Sequence, residues 1–179
     1  NVTKPCSNPV NVTMIDLRAA TFSLEPRVNL LSSSFAGRVM LRASDAGPSA
    51  LGYAACCLWC LGYPEQALSR SQEALALARE LGHPYSLADV LYFAGCLFNK
   101  MRWDAQSLKD NAEELMRLAN EKVPGWLGPG ACFWGEALAM LGQVQEGMAK
   151  MREGIAALQS KGGWCHLPGR LRALAEAQT

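Results

Sequence analysis

The chain has 179 residues, half of them hydrophobic and 18% charged, with a formal charge of +1. That length supports one domain with a real core, and that composition argues against disorder. The near-neutral balance excludes a whole-chain drive toward nucleic acid or an anionic membrane, and no apolar run reaches the roughly 18 residues of a membrane span.

Seven cysteines, at 6, 56, 57, 60, 96, 132 and 165, form an odd set with several members inside helical stripes. This favours reduced, buried thiols. The opening NVTKPCSNPV lacks the apolar core of a secretory signal, so a cytoplasmic location is expected. On that expectation the Asn-Val-Thr triplets at Asn1 and Asn11 are chance matches to the glycosylation pattern.

Residues 1–47 read as an irregular or weakly helical segment, punctuated by Pro5, Pro9, Pro26 and the serines 32–34. Short helices are expected over Met14–Leu24 and Phe35–Ala43. From Ser49 the pattern sharpens. Ser49–Leu61 reads as a helix, Gly62 as a turn, and 63–81 as a long second helix. In that second helix Pro64 suits the first turn, Glu65 the positive end of the dipole, and Gly82 the stop, with Pro84 beyond it. Next come a helix over Ser86–Lys100, a turn at Met101 and Arg102, and a partner helix over Trp103–Glu121. The breakers Pro124, Gly125, Gly128, Pro129 and Gly130 precede a helix over Ala131–Leu141. Gly142 turns the chain into Gln143–Gln159. Lys161-Gly162-Gly163 ends that helix, and a last one spans Pro168–Ala177.

A spacing of 40 residues runs through this part. Leu58, Phe98 and Leu138 share one column, and Leu61, Met101 and Leu141 the next. Leu68, Leu108 and Met148 form a third, and Leu75, Leu115 and Ile155 a fourth. Small residues form two more: Ala55, Gly95, Gly135 and Ala175, then Ala67, Ser107 and Gly147. Large apolar residues at fixed places fill the space between successive hairpins, and small ones let two helices approach closely. One hairpin cannot bury its apolar face alone, so each needs a neighbour. Stepping back 40 would put Arg18, Thr21 and Val28 where Leu58, Leu61 and Leu68 stand. Two of those are polar, so residues 1–47 do not read as a further repeat.

These columns resemble the tetratricopeptide repeat, with a small residue midway along the first helix, a turn glycine, and small residues along the second. The matching positions are Ala55, Gly62, Ala67 and Ala74 in the first unit and Gly135, Gly142, Gly147 and Gly154 in the third. In the second they are Gly95, Arg102, Ser107 and Glu114, of which Arg102 and Glu114 depart from the pattern. The period also exceeds the usual length of about 34. The resemblance implies an all-α, right-handed superhelical α-solenoid of about three hairpins with a final capping helix. The repeat domain is placed at 48–179, with units at about 48–84, 85–127 and 128–163 and the cap at 164–179.

A further likeness covers roughly 50–177. The stretch ALGYAACCLWCLGYPEQALSRSQEALALARELGHPYSLADVLYFAG looks like the C-terminal helical-repeat region of large bacterial signalling proteins. Those carry a class III adenylate/guanylate cyclase or transcription-activator domain, then a signalling ATPase, then such repeats. No Gly-Lys dipeptide occurs, so no Walker A loop is present in this chain. No catalytic residue and no cofactor is expected here. Any cyclase or ATPase activity would lie in other parts of a parent protein.

The remaining motifs read more plainly. Cys57-Leu-Trp-Cys60 has C-x₂-C spacing, but the two histidines, His83 and His166, offer no paired ligands, and no βαβ context supports a redox motif. No serine sits in G-x-S-x-G. Glu113 and Glu114, with Lys109 nearby, read as a solvated helix face. The tetratricopeptide resemblance implies a concave surface lined by the first helices. By register the positions facing a bound peptide are Trp59, Asp89, Tyr92, Cys96, Asn99, Lys100, Cys132, Glu136 and Met140. Tyr92, Asn99 and Lys100 make a polar and aromatic contact set for a protein or peptide partner. Packing of these positions against residues 1–47 or a second copy is the alternative. The expected function is a protein-interaction scaffold, the regulatory region of a larger bacterial regulator. The runner-up is a self-associating module that forms a homo-oligomer, since open ends would expose core surface.

Overall fold

The computed structural model describes residues 46–160 and 167–177, and within them every regular element is helical. The helices expected over Met14–Leu24 and Phe35–Ala43, and the break at Lys161-Gly162-Gly163, lie outside the described residues. The elements are α1 (Ala46–Cys60), α2 (Pro64–Leu81), α3 (Pro84–Val90), a π segment (Leu91–Leu97), α4 (Phe98–Met101), α5 (Ala105–Glu121), a 3₁₀ turn (Pro124–Trp126), α6 (Leu127–Met140), α7 (Val144–Ser160) and α8 (Leu167–Glu176). From Pro84 to Met101, α3, the π segment and α4 run on without a break. Three hairpins result: α1 with α2, the composite helix 84–101 with α5, and α6 with α7. Each second helix also packs on the first helix that follows it.

One turn geometry closes all three hairpins. The N–H of Tyr63 reaches Leu58 O and that of Gly62 reaches Trp59 O, at 2.9 and 3.0 Å. Asp104 to Asn99 and Trp103 to Lys100 repeat the pair, as do Gln143 to Leu138 and Gly142 to Ala139. This crossed pair of bonds satisfies the last carbonyls of a helix and needs a left-handed residue at its end. Gly62 (φ +83°) and Gly142 (φ +87°) supply it, and in the middle hairpin Trp103 does so at φ +60°.

The middle turn therefore sits one residue later than the 40-residue spacing predicts, at Arg102-Trp103 and not at Met101-Arg102. The opening prolines Pro84 and Pro124 keep that spacing, so the extra residue lies between Pro84 and Trp103. A π turn is one extra residue accommodated in a helix, and the π segment lies in that interval. Its widened backbone offers carbonyls to side chains. Phe93 O accepts from Cys56 Sγ at 3.5 Å, Ala94 O from Ser71 Oγ at 2.9 Å, and Gly95 O from Asn99 Nδ2 at 2.7 Å.

The slip reassigns the second-helix columns. Counted from the turns, Leu108, not Ser107, stands with Ala67 and Gly147, and Leu115, not Glu114, stands with Ala74 and Gly154. All six are buried. Glu114 instead turns outward to Arg79 of α2 at 2.6 Å. α5 starts at Ala105 and not at Trp103, because Asp104 Oδ1 accepts from Ser107 N at 3.1 Å as an N-cap.

α6 begins at Leu127, earlier than the predicted Ala131, and takes in Gly128, Pro129 and Gly130. Pro129 lies in the first turn, where no intrahelical donor is missed. Gly128 and Gly135 face α7 at backbone contact. A Cβ on Gly135 would stand 2.5 Å from Gly147 O, and one on Gly128 3.0 Å from Gly154 O. The main core joins the second and third hairpins through Leu91, Tyr92, Cys96, Leu108, Leu115 and Phe133. Full burial of each such large side chain contributes roughly 1.5–3 kcal/mol. In α8 the buried stripe runs through Arg170 and Ala173, while Ala175, predicted to continue a small-residue column, is exposed.

Candidate functional site

The composite helix 84–101 and α6 converge on one buried arginine of α8. Arg170 of α8 is 6% exposed, as is Glu136 of α6. Arg170 Nη1 donates to Glu136 Oε1 at 2.7 Å, and Nη2 donates to the Tyr92 hydroxyl at 3.3 Å. The guanidinium lies over the Phe133 ring, 3.8 Å from its centroid, with the Tyr92 ring at 5.8 Å. The second oxygen of Glu136 meets Lys100 Nζ at 2.6 Å. Tyr92 is held in turn by the rings of Phe93, Trp126 and Phe133, with centroids 4.8–5.5 Å away.

Local sequence explains each placement. Tyr92 rides on the π segment, whose widened turn sets its position relative to α6. Phe133 and Glu136 are three apart in α6 and so share a face. Arg170 stands where an apolar residue is expected, three before Ala173 and four before Leu174 on the inward stripe of α8. Burial by itself would weaken the Arg170 cation, but Glu136 and Tyr92 beside it outweigh that effect and raise its pKa. The buried thiols near the pair are shifted the other way in charge terms. Burial pushes Cys132 up to about 11 and raises Cys96 as well, so both stay protonated.

Of the residues expected to line a groove, Tyr92, Lys100 and Glu136 come together, and Arg170 of this chain already occupies the space between them. Lys100 keeps a side chain 34% exposed. Of the other six, Asn99, Trp59, Met140 and Asp89 lie apart. Asn99 is buried and bonded to Gly95 O and to Arg102 Nη1, which holds the middle turn. Trp59 meets Phe98 edge-on at 5.9 Å. Met140 packs half-buried against the main core. Asp89 sits near Ser49 and Tyr53 at the start of α1; burial raises its carboxyl, against the opposing effect of the Ser49 hydroxyl. Tyr53 is pushed up to about 12 by burial and by Asp89. Cys96 and Cys132 are fully buried.

Sequence reasoning missed Arg170. The signal for it was an arginine on the apolar stripe of the last helix, a position that demands a buried anion. Among the described residues no group of three or more His, Cys, Asp or Glu is placed to hold a metal, and no helix is long and apolar enough to cross a membrane. A shallow cleft of about 390 Å³ between α5 and α6, lined by Glu113, Met116, Arg117 and Trp134 among others, lies away from Arg170. Comparison of the chain with protein-family models, with curated proteins and with solved structures found no match to any of them.

Proposed function

We propose that the chain is a protein-interaction scaffold, a tetratricopeptide-like α-solenoid region that serves a larger bacterial signalling regulator. The observation that carries this reading is the recurrence of one hairpin turn, with the same crossed hydrogen bonds, at Gly62, Trp103 and Gly142. Stacked hairpins of this kind present extended surfaces and bind through them. Chemistry inside the chain is not part of the proposal, because the ionisable groups at its centre are paired with one another. The test is selection of binders from a peptide display library with the full chain as bait. Selected peptides should lose at least tenfold in affinity on Lys100→Ala or Met140→Ala with helical content unchanged. Peptides equally indifferent to both substitutions would count against the inner surface as the binding face.

Exposed apolar side chains favour a second reading, self-association. Tyr53, Tyr85 and Leu171 are about half exposed and Trp103 is 80% exposed. Sedimentation velocity over a hundredfold concentration range decides it: a constant monomer removes this reading.

A further inference from the structure

We propose that Glu136, Tyr92 and Phe133 form an arginine-reading pocket, filled by Arg170 of α8 in the resting chain and by an arginine on a short helix of a partner in the bound one. The inference rests on the interaction reading above and names the chemistry of the partner. The pocket matches a guanidinium in three respects. Its carboxylate oxygen and phenol oxygen receive two different Nη atoms, and the guanidinium carbon lies over its Phe133 ring, 3.8 Å from the centroid. A lysine ammonium is a point charge and cannot satisfy that fork and stack together.

The pocket's own residues all lie outside α8. All three residues belong to the second and third hairpins, the Tyr92 ring is wedged among Phe93, Trp126 and Phe133, and Lys100 holds the far oxygen of Glu136. Preorganisation of this kind lowers the ordering cost for whatever enters. The resident occupant sits on a short, half-exposed helix. α8 has ten residues, fewer than the roughly 12–15 that an isolated helix needs, and Leu171, Arg172, Ala175 and Glu176 are exposed. Besides Arg170, Ala173 and Leu174 pack on residues of α6 and α7, and Ala177 follows them just beyond the helix. A competing helix therefore presents arginine followed three and four residues later by small and branched apolar side chains. α8 is a tethered competitor of such a helix.

The probe is a labelled peptide with the sequence of residues 167–177, beside a control carrying alanine in place of its arginine. Fluorescence anisotropy is measured against the full chain and against the full chain with Arg170→Ala. The Arg170→Ala chain should bind the arginine peptide at least tenfold more tightly than the unsubstituted chain does, and the control at least tenfold more weakly than the arginine peptide. Equal affinity for the two peptides, or equal affinity of the two chains, overturns the pocket. Should Arg170→Ala fail to fold, hydrogen exchange on the unsubstituted chain decides the question instead. Excess arginine peptide should speed exchange within α8 and the control should not; no difference between them overturns the proposal. Library peptides that bind through Lys100 and Met140 while these peptide effects are absent would sink the pocket and leave the interaction reading standing.

Discussion

At the scale of single residues, two side chains sit where physical chemistry disfavours them. Trp103 holds φ +60° at the middle turn while its ring is 80% exposed, so no burial offsets the strain. A left-handed conformation costs a residue with a Cβ roughly 1–2 kcal/mol, part of which glycine loses again through its freer unfolded chain. Trp103→Gly is expected to stabilise the protein by roughly 1 kcal/mol, about 2–4 °C in thermal midpoint by calorimetry. Asp89 is the second case. Its folded pKa is raised, so its contribution is fully present below the unfolded carboxylate pKa and is lost as pH rises through the folded value. Asp89→Asn should therefore stabilise the chain at neutral pH, and the gain should vanish at and below the ordinary carboxylate pKa of about 3.9. Urea denaturation at a series of pH values checks both the sign and the window.

At the scale of elements, the α6–α7 hairpin is the tightest joint. Gly135 and Gly147 meet backbone to backbone, and Gly154 meets Gly128 the same way. Backbone cannot swing aside as a side chain can, so Gly135→Ala is expected to cost about 1–3 kcal/mol or more, read as a lowered denaturation midpoint. Gly125→Ala, with open space around it, is the control. The glycine columns were legible in the sequence because close approach demands small residues wherever it occurs. The helix starts were less so. Gly128 and Gly130 read as breakers, since their tight packing on α7 and α5 is visible only once those helices are in place. The π segment had no local signature at all. Leu91–Leu97 is ordinary helical sequence, and of the side chains that meet its carbonyls only Asn99 is local, while Cys56 and Ser71 come from the first hairpin.

At the scale of the whole molecule, the Lys100–Glu136–Arg170 chain of ion pairs links the second hairpin, the third and α8. Breaking a buried pair costs about 3–5 kcal/mol when the stranded charge cannot escape. Here it can: Arg170 leaves with its helix and Lys100 is already part-exposed. Glu136→Ala is therefore expected to undock α8, seen as fast hydrogen exchange over residues 167–177. The cooperative midpoint of the hairpins should fall by less than that full cost. A large drop in the midpoint with α8 still protected would contradict this.

The sequence alone determined the helical class, the hairpin order and the glycine turns at 62 and 142, because each follows from apolar periodicity, capping and φ preference within a few residues. The tetratricopeptide resemblance set nine positions on one surface, and of these Tyr92, Lys100 and Glu136 meet around Arg170. Tertiary structure decided the rest. The one-residue slip of the middle hairpin, which puts Trp103, Leu108 and Leu115 into places the 40-residue spacing assigned to Arg102, Ser107 and Glu114, depends on contacts with another hairpin. The occupant of the space between Tyr92 and Glu136 was decided the same way: Arg170 is 34 residues from Glu136 and 78 from Tyr92 along the chain, and a partner so distant leaves no periodic trace.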